Sequence, residues 1–314
     1  LALAERLSLD EKTTLELLAH AASLDMVKLE WEITCPECQG EVCVASQRNE
    51  AGCRFCGREY DLLVEHDIQL TFTASPGVRR LSPQADDPDY RHRVNAPYGS
   101  TNALALLNFP AFRARLVDQF LRGNTGLRIR EITVLATDLR DSTGIYTRHG
   151  DSAAYRLVSE HFGVIAPIVE RHAGFLVKTL GDGVMAAFPK ITNGLHVAAE
   201  IQKRLNFFWN TRREQHLALR VGLHSGPALL VFANGTLDIF GTTVNIAFRI
   251  ARLAQGGDIV VTNTALNTDT AARLELNLLG EVETQQTVLH GFDDQCIFHR
   301  IILPHKEGVN YAIA

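Results

Sequence analysis

Six residues in the second half of the chain carry groups suited to metal and phosphate chemistry. Asp138 ends the apolar run EITVLAT, Lys178 and Asp182 bracket KTLGD, Asp238 precedes the turn in LDIFG, and Asn245 and Arg249 follow it four apart. A carboxylate at a strand end, beside the free N–H groups of a new helix, is a place to hold a cation and a phosphate together. A carboxylate at a hairpin tip can also hold a metal, and a lysine nearby can donate to an acceptor on a ligand. Arginine offers a planar fork suited to phosphate oxygens, and asparagine an uncharged amide donor. Each has a plain structural reading when taken singly. KTLGD is then a solvated hairpin with a charge pair, and Asn245 with Arg249 is a polar helix face. Their presence together favours the chemical reading.

A second set lies near the N-terminus. Cys35 and Cys38 form CPEC, 14 residues follow, and Cys53 and Cys56 form CRFC. Each CxxC brings two thiolates to one tight turn, and two such turns facing each other complete a tetrahedral zinc site. Gly40 and Gly57 supply permissive backbone just after each pair. The expectation is one structural Zn²⁺, with a dithiol redox pair as the rival. Arg48, Arg54 and Arg58 alternate with Glu37, Glu41, Glu50 and Glu59, which argues against a phosphate-binding face. Cys43 and Cys296 read as small buried hydrophobes.

The elements that must position the six residues follow from periodicity. EITVLAT reads as a covered strand delivering Asp138, with Asp141, Ser142 and Thr143 as N-caps for the next helix. A helix from Asp151 to Gly174 carries Tyr155, Val158, Phe162 and Ile165 inward, with a kink at Pro167. FLVKTLGDGVMAAF reads as a hairpin with positive-φ glycines at its Gly-Asp-Gly tip. Thr192–Arg213 is a helix, LALRVGLHSG and PALLVFAN two strands, and Gly241 precedes the helix of Asn245 and Arg249. GGDIVVTN is a strand, and the rest to Arg300 reads as short strands. Toward the N-terminus, residues 1 to about 30 read as helical, residues 60–81 as one or two strands, and a helix opens at Pro110. His224 reads as a packed strand histidine.

Composition bounds the class. The 314 residues suggest about two domains, and 46% hydrophobic with 21% charged residues is the balance of a folded protein. A net charge of −5 argues against a nucleic-acid-binding surface. No run approaches the ~20 apolar residues of a membrane span. The N-terminal stretch has no uninterrupted apolar core, so no signal peptide is expected. CxxC pairs without a secretory signal point to a reducing, cytoplasmic compartment.

From about Pro110 to Arg300 the chain resembles the class III nucleotidyl cyclases, on the motifs ATDLRDST, FLVKTLGDGVMAAF, LRVGLHSGP and LDIFGTTVNIAFR. The region before it resembles the accessory domain found ahead of some bacterial members. The resemblance implies an α+β fold: a ferredoxin-like βαβ-type catalytic domain with a central, largely antiparallel sheet, preceded by a small zinc-ribbon/β accessory domain. The expected layout is an accessory domain over 1–100 with the ribbon at about 33–60, a helical linker over 101–126, the catalytic domain over 127–303 and a tail over 304–314.

The resemblance also implies roles. Asp138 and Asp182 match the aspartates that bind two Mg²⁺ or Mn²⁺ ions, with the Leu139 main-chain carbonyl as a further ligand. Lys178 and Asp238 match the base-selecting pair: lysine donates to adenine N1 and aspartate accepts from the 6-amino group, so ATP is read over GTP. Asn245 would orient the ribose and Arg249 meet charge developing on the α-phosphate. The implied reaction forms cyclic AMP and pyrophosphate at the interface of a head-to-tail homodimer. One chain would supply Asp138 and Asp182, the other Lys178, Asp238, Asn245 and Arg249.

Three departures stand out: Asp141 where the family often has glycine, Ala136 in place of a common phenylalanine, and His290-Gly291 where Lys-Gly is frequent. They point to weak or conditional ATP affinity. The alternatives are a nucleotide-binding regulatory homologue with little turnover, or a guanylate cyclase. A protein partner for the N-terminal domain is a further possibility.

Overall fold

The computed structural model describes residues 2–33, 42–44, 50–53, 55–57, 59–61, 68–80, 82–83, 87, 90, 93–94, 97, 106–107, 109, 112–113, 126–212, 217–233 and 235–304. Two compact units emerge, Leu1–Arg130 with Leu229–Asp238, and Glu131–Ala228 with Ile239–Ala314.

In the first unit, α1 (Ala2–Leu7) leads to α2 (Glu11–Ser23), whose N-terminus is capped by Asp10. Asp10 Oδ1 accepts from the Thr13 N–H at 2.9 Å, satisfying one of the donors a helix start leaves open. Helix was expected through residue 30, but α2 stops at Ser23 and Asp25 turns the chain in the left-handed region at φ 54. The alternating VKLEWEI then forms β1 (Val27–Ile33), which pairs antiparallel with β5 (Ile68–Ala74) along its whole length. The short strands β2 (Val42–Val44), β3 (Glu50–Cys53) and β4 (Glu59–Asp61) make a separate antiparallel sheet. Leu15, Ala19, Ala22, Leu29, Leu106 and Phe112 form this unit's apolar cluster. The helix expected from Pro110 falls largely outside the described residues.

The larger sheet runs in the order β12-β13-β11-β9-β6-β8-β7, with β10 paired to β9. Its strands are β6 (Gly126–Arg140), β7 (Phe175–Leu180), β8 (Gly183–Phe188), β9 (Ala218–Ala233), β10 (Thr236–Phe240), β11 (Asp258–Thr262), β12 (Glu281–Val288) and β13 (Gln295–Ile302). The pair β9–β11 is parallel, while β6–β8, β7–β8, β11–β13 and β12–β13 are antiparallel. The expected mixed fold with a largely antiparallel sheet is thus present. Between the strands lie α3 (Ser142–His149), α4 (Asp151–Arg171), α5 (Ile191–Thr211), α6 (Thr242–Ala251), α7 (Asn263–Leu266) and α8 (Thr270–Leu279).

One sheet face packs on α4 and α5, where Leu135, Leu139, Val184, Ala186 and Phe188 meet Ile165, Val169, Leu195, Ile201 and Leu205. Burying each of these side chains except the small Ala186 is worth roughly 1.5–3 kcal/mol. Tyr155 was expected inward and is instead 72% exposed. The inward stripe of α4 runs through Ala154, Val158, His161 and Ile165.

Two further expectations change. The stretches read as two strands make one, β9, which continues through Pro227. Pairing of β9 with β11 covers only Val221–Leu223, so Pro227 deprives that ladder of no donor. The stretch after β11, expected as short strands, is helical over α7 and α8, each opened by a side-chain cap. Thr262 Oγ1 accepts from Ala265 N–H, and Asp269 Oδ1 from Ala271 N–H.

Candidate active site

Asp138 and Asp182 leave the same end of neighbouring strands. The β6–β8 register runs from Thr133 opposite Phe188 to Ala136 opposite Met185, just short of both aspartates. Thr137 locks this end: Val184 N–H donates to its Oγ1 at 2.8 Å. Gly183 lies so close to the Thr137 carbonyl that a Cβ there would overlap the oxygen. Only Gly181 of the hairpin tip has positive φ, at 63°. Gly183 was expected to serve the turn, and its requirement is close strand approach.

Asp138 is half-buried and ion-paired. Arg220 Nη1 donates to its Oδ2 at 3.1 Å. Arg220 went unassigned in the sequence, because its place opposite Asp138 depends on strand pairing. The signal that marks it is an arginine inside the otherwise apolar LRVGL. Leu139 points the other way and is fully packed in the core.

Lys178 reaches the Asp138 face by an irregularity. Leu176 stands opposite Ala186 and Lys178 opposite Met185, so the register slips by one residue at Val177. Met185 is in turn opposite Ala136, and Ala136 shares a face with Asp138 by alternation. Without the extra residue Lys178 would point to the helix-covered face. Lys178 itself is half-buried.

Asp182 is half-buried, and its Oδ2 is buried with no hydrogen-bond partner among the described residues. A carboxylate oxygen in that condition suits a cation. The residues therefore fit divalent ions held by Asp138 and Asp182.

Asp141 was expected to cap α3. It occupies the N-cap position at φ 62, yet makes no side-chain cap bond. The left-handed backbone turns its carboxylate toward Arg148, whose Nη2 lies 3.0 Å from Oδ2. His224 is buried as expected, its Nδ1 2.7 Å from Thr262 Oγ1. Burial pushes its imidazole down to about 4.

On α6, Asn245 is exposed and Arg249 half-buried. The Arg249 guanidinium lies over the Phe292 ring at 4.7 Å. Asp238 lies half-buried on β10, in the segment that belongs to the first unit.

Of the four expected zinc ligands, Cys35 and Cys38 lie outside the described residues. Cys53 ends β3, and Cys56 N–H donates to its Sγ at 3.5 Å. Gly57 follows at φ 71 with its N–H on the Cys53 carbonyl at 2.9 Å. That turn fits half of a four-thiolate site. Among the described residues no group of three or more metal-binding side chains occurs, and no helix is long and apolar enough to cross a membrane.

The family model for the adenylate and guanylate cyclase catalytic domain matches residues 127–296, more than half of the chain. A family of unknown function (DUF5939) matches residues 1–97. The receptor-type adenylate cyclase B of Leishmania donovani is 28% identical over 175 residues, covering 43% of this chain and 13% of that protein. An adenylate cyclase of Anabaena cylindrica is 25% identical over 152 residues, covering 44% of this chain and 30% of its own. The chain thus spans less than a third of the length of either relative. The crystal structure of the adenylyl cyclase CyaB from P. aeruginosa superposes with a TM-score of 0.50 at 18% identity, over 58% of this chain and 97% of that one. That likeness concerns the fold.

Proposed function

Because the chain belongs to the adenylate and guanylate cyclase catalytic domain family, we propose that it converts ATP to 3′,5′-cyclic AMP and pyrophosphate. The observation that carries the reading is the joint placement of Asp138 and Asp182 at one end of β6 and β8, with Lys178 turned to the Asp138 face by the slip at Val177.

Asp138 and Asp182 hold the divalent ions, with the Leu139 main-chain carbonyl beside them. Those ions, when bound, acidify the ribose 3′-hydroxyl and offset charge on the departing pyrophosphate. Arg220 keeps Asp138 in place through its 3.1 Å contact and brings a cation to the phosphate end of the site. Asn245 orients the ribose. Arg249 donates to the α-phosphate as charge builds there, an interaction of about 3–4 kcal/mol for a well-aimed donor. Lys178 donates to adenine N1, and Asp238, which the family pairs with it, accepts from the 6-amino group. Guanine carries N1–H and lacks that amino group, so ATP is preferred. The negative charge of Asp141 is answered by Arg148, which lessens its repulsion of a triphosphate. A head-to-tail homodimer with two equivalent sites is the assembly we assign, in the cytoplasm, with one structural Zn²⁺ held by Cys35, Cys38, Cys53 and Cys56.

The test is cyclic nucleotide formation by the purified chain from ATP and GTP side by side, with Mg²⁺ and with Mn²⁺. Cyclic AMP should dominate, Asp138→Ala should abolish it, and Lys178→Glu should lower the ATP:GTP ratio. Activity that survives Asp138→Ala sinks the metal assignment. Cyclic GMP as the main product sinks the base assignment. Less than about one zinc per chain defeats the ribbon.

A further inference from the structure

Arg249 makes a contact that the roles above leave unused. Its guanidinium carbon lies 4.7 Å from the centroid of the Phe292 ring. Phe292 is itself held from behind. It packs against the cluster of Ile250, Ala254, Val260, Leu289 and Phe298, and its N–H donates to the Leu289 carbonyl at 2.9 Å. Gly291, at φ 78, fits the guanidinium closely: a Cβ there would stand 3.3 Å from both Nη1 and Nη2 of Arg249. Nη1 is buried and donates to nothing among the described residues.

These facts have one physical reading. A ring face attracts a cation through its quadrupole without consuming an N–H. It fixes the plane of the guanidinium while its donors stay available for oxygens that arrive with a ligand. A carboxylate in the same place would orient the arginine too, but would compete with phosphate for it. A buried, unpaired N–H of a charged group is costly, so it persists only where the surrounding packing holds it. Here the packing is the Phe292 ring and the bare backbone of Gly291.

We propose that Phe292 is a positioning residue for the cyclase reaction: with Gly291 it holds the Arg249 guanidinium so that the unpaired Nη1 meets charge developing on the phosphate, a role that rests on Arg249 being the transition-state donor. Leucine at 292 would keep the apolar packing but lose the flat, electron-rich face. The guanidinium would then spend less time in the productive orientation, which lowers the rate of the chemical step more than substrate binding.

The experiment uses the full chain with two readouts. The first is kcat and KM for cyclic AMP formation from ATP with Mn²⁺. Phe292→Leu should lower kcat about 3- to 30-fold, the range expected for loss of a cation–ring contact, with KM within about twofold. Phe292→Tyr retains the ring and should restore kcat. In an Arg249→Ala background, Phe292→Leu should cost nothing further. The second readout is the Nε–Hε resonance of Arg249 in the ligand-free protein. A ring-current displacement should be present in the parent chain, kept in Phe292→Tyr and lost in Phe292→Leu.

Arg249→Ala inactive while Phe292→Leu keeps parental kcat overturns the positioning role alone. Equal losses from Phe292→Leu in both backgrounds mean Phe292 acts on structure and not through Arg249, which overturns it too. A rise in kcat makes the contact a restraint and reverses the proposal. Full activity in Arg249→Ala, or no cyclic nucleotide from the parent chain, overturns the reading of Arg249 or of the enzyme, and the positioning role with it. The resonance still reports whether the stacking exists.

Discussion

His161 offers a quantitative test of how the catalytic unit is packed. It lies on α4 with no exposed surface, its ring centroid 4.4 Å from that of Phe162 and 5.9 Å from that of Trp209. Among the described residues neither ring nitrogen completes a well-formed hydrogen bond, and the Val158 and Asp182 backbones act on the ring less than its burial does. Burial pushes the imidazole down from 6.5 to about 4, against an opposing pull from the Val158 and Asp182 backbones. The folded chain therefore keeps the neutral ring, whereas the unfolded chain takes up a proton near pH 6.5. Between those two values the unfolded state binds more protons, so this contribution is complete above pH 6.5 and is lost as pH falls toward 4. The full difference is about 3 kcal/mol, and about 2 kcal/mol of it falls between pH 7 and pH 5. His161→Leu keeps the apolar packing and removes the titrating group. The parent chain should accordingly lose about 2 kcal/mol more than the variant over that interval. Urea unfolding at pH 7 and pH 5, followed by Trp209 fluorescence in a Trp31→Phe background, reads this directly, since the chain has 2 tryptophans. Equal losses in the two proteins would refute the neutral, buried imidazole.

Arg220→Met should lower stability by less than about 1 kcal/mol, because the pair with Asp138 is partly exposed. It should still raise KM for ATP at least about tenfold, the cost of one charged hydrogen bond, and steady-state kinetics beside thermal unfolding separates the two effects. Gly183→Ala forces a methyl against the Thr137 carbonyl and should abolish cyclase activity while cutting stability by about 1–3 kcal/mol, seen as a lowered melting temperature. Asp141→Gly relieves a left-handed backbone at φ 62 and removes the charge facing Arg148. KM for ATP should fall, and an added Arg148→Ala should then have little effect on KM, whereas in the parent chain Arg148→Ala alone should raise it.

The sequence carried most of the layout. Apolar and β-branched residues flanking the Gly-Asp-Gly tip of FLVKTLGDGVMAAF specified the β7–β8 hairpin. The 3.6-residue period did the same for α4 and α5. Residue types and spacing alone also singled out Asp138, Lys178, Asp182, Asp238, Asn245 and Arg249, since few other groups bind cations and phosphates. Local signals failed at two places. Pro227 did not break β9, and the polar stretch after β11 became α7 and α8 through the caps at Thr262 and Asp269.

Three features of the site depend on residues distant in sequence, and only the tertiary structure decided them. Arg220 meets Asp138 across two strands 82 positions apart in the chain. Lys178 reaches the Asp138 face because one residue slips out of register at Val177. Phe292, 43 positions beyond Arg249, lies beneath its guanidinium. Strand pairing and close packing set all three, and neither is written in the period of any single segment.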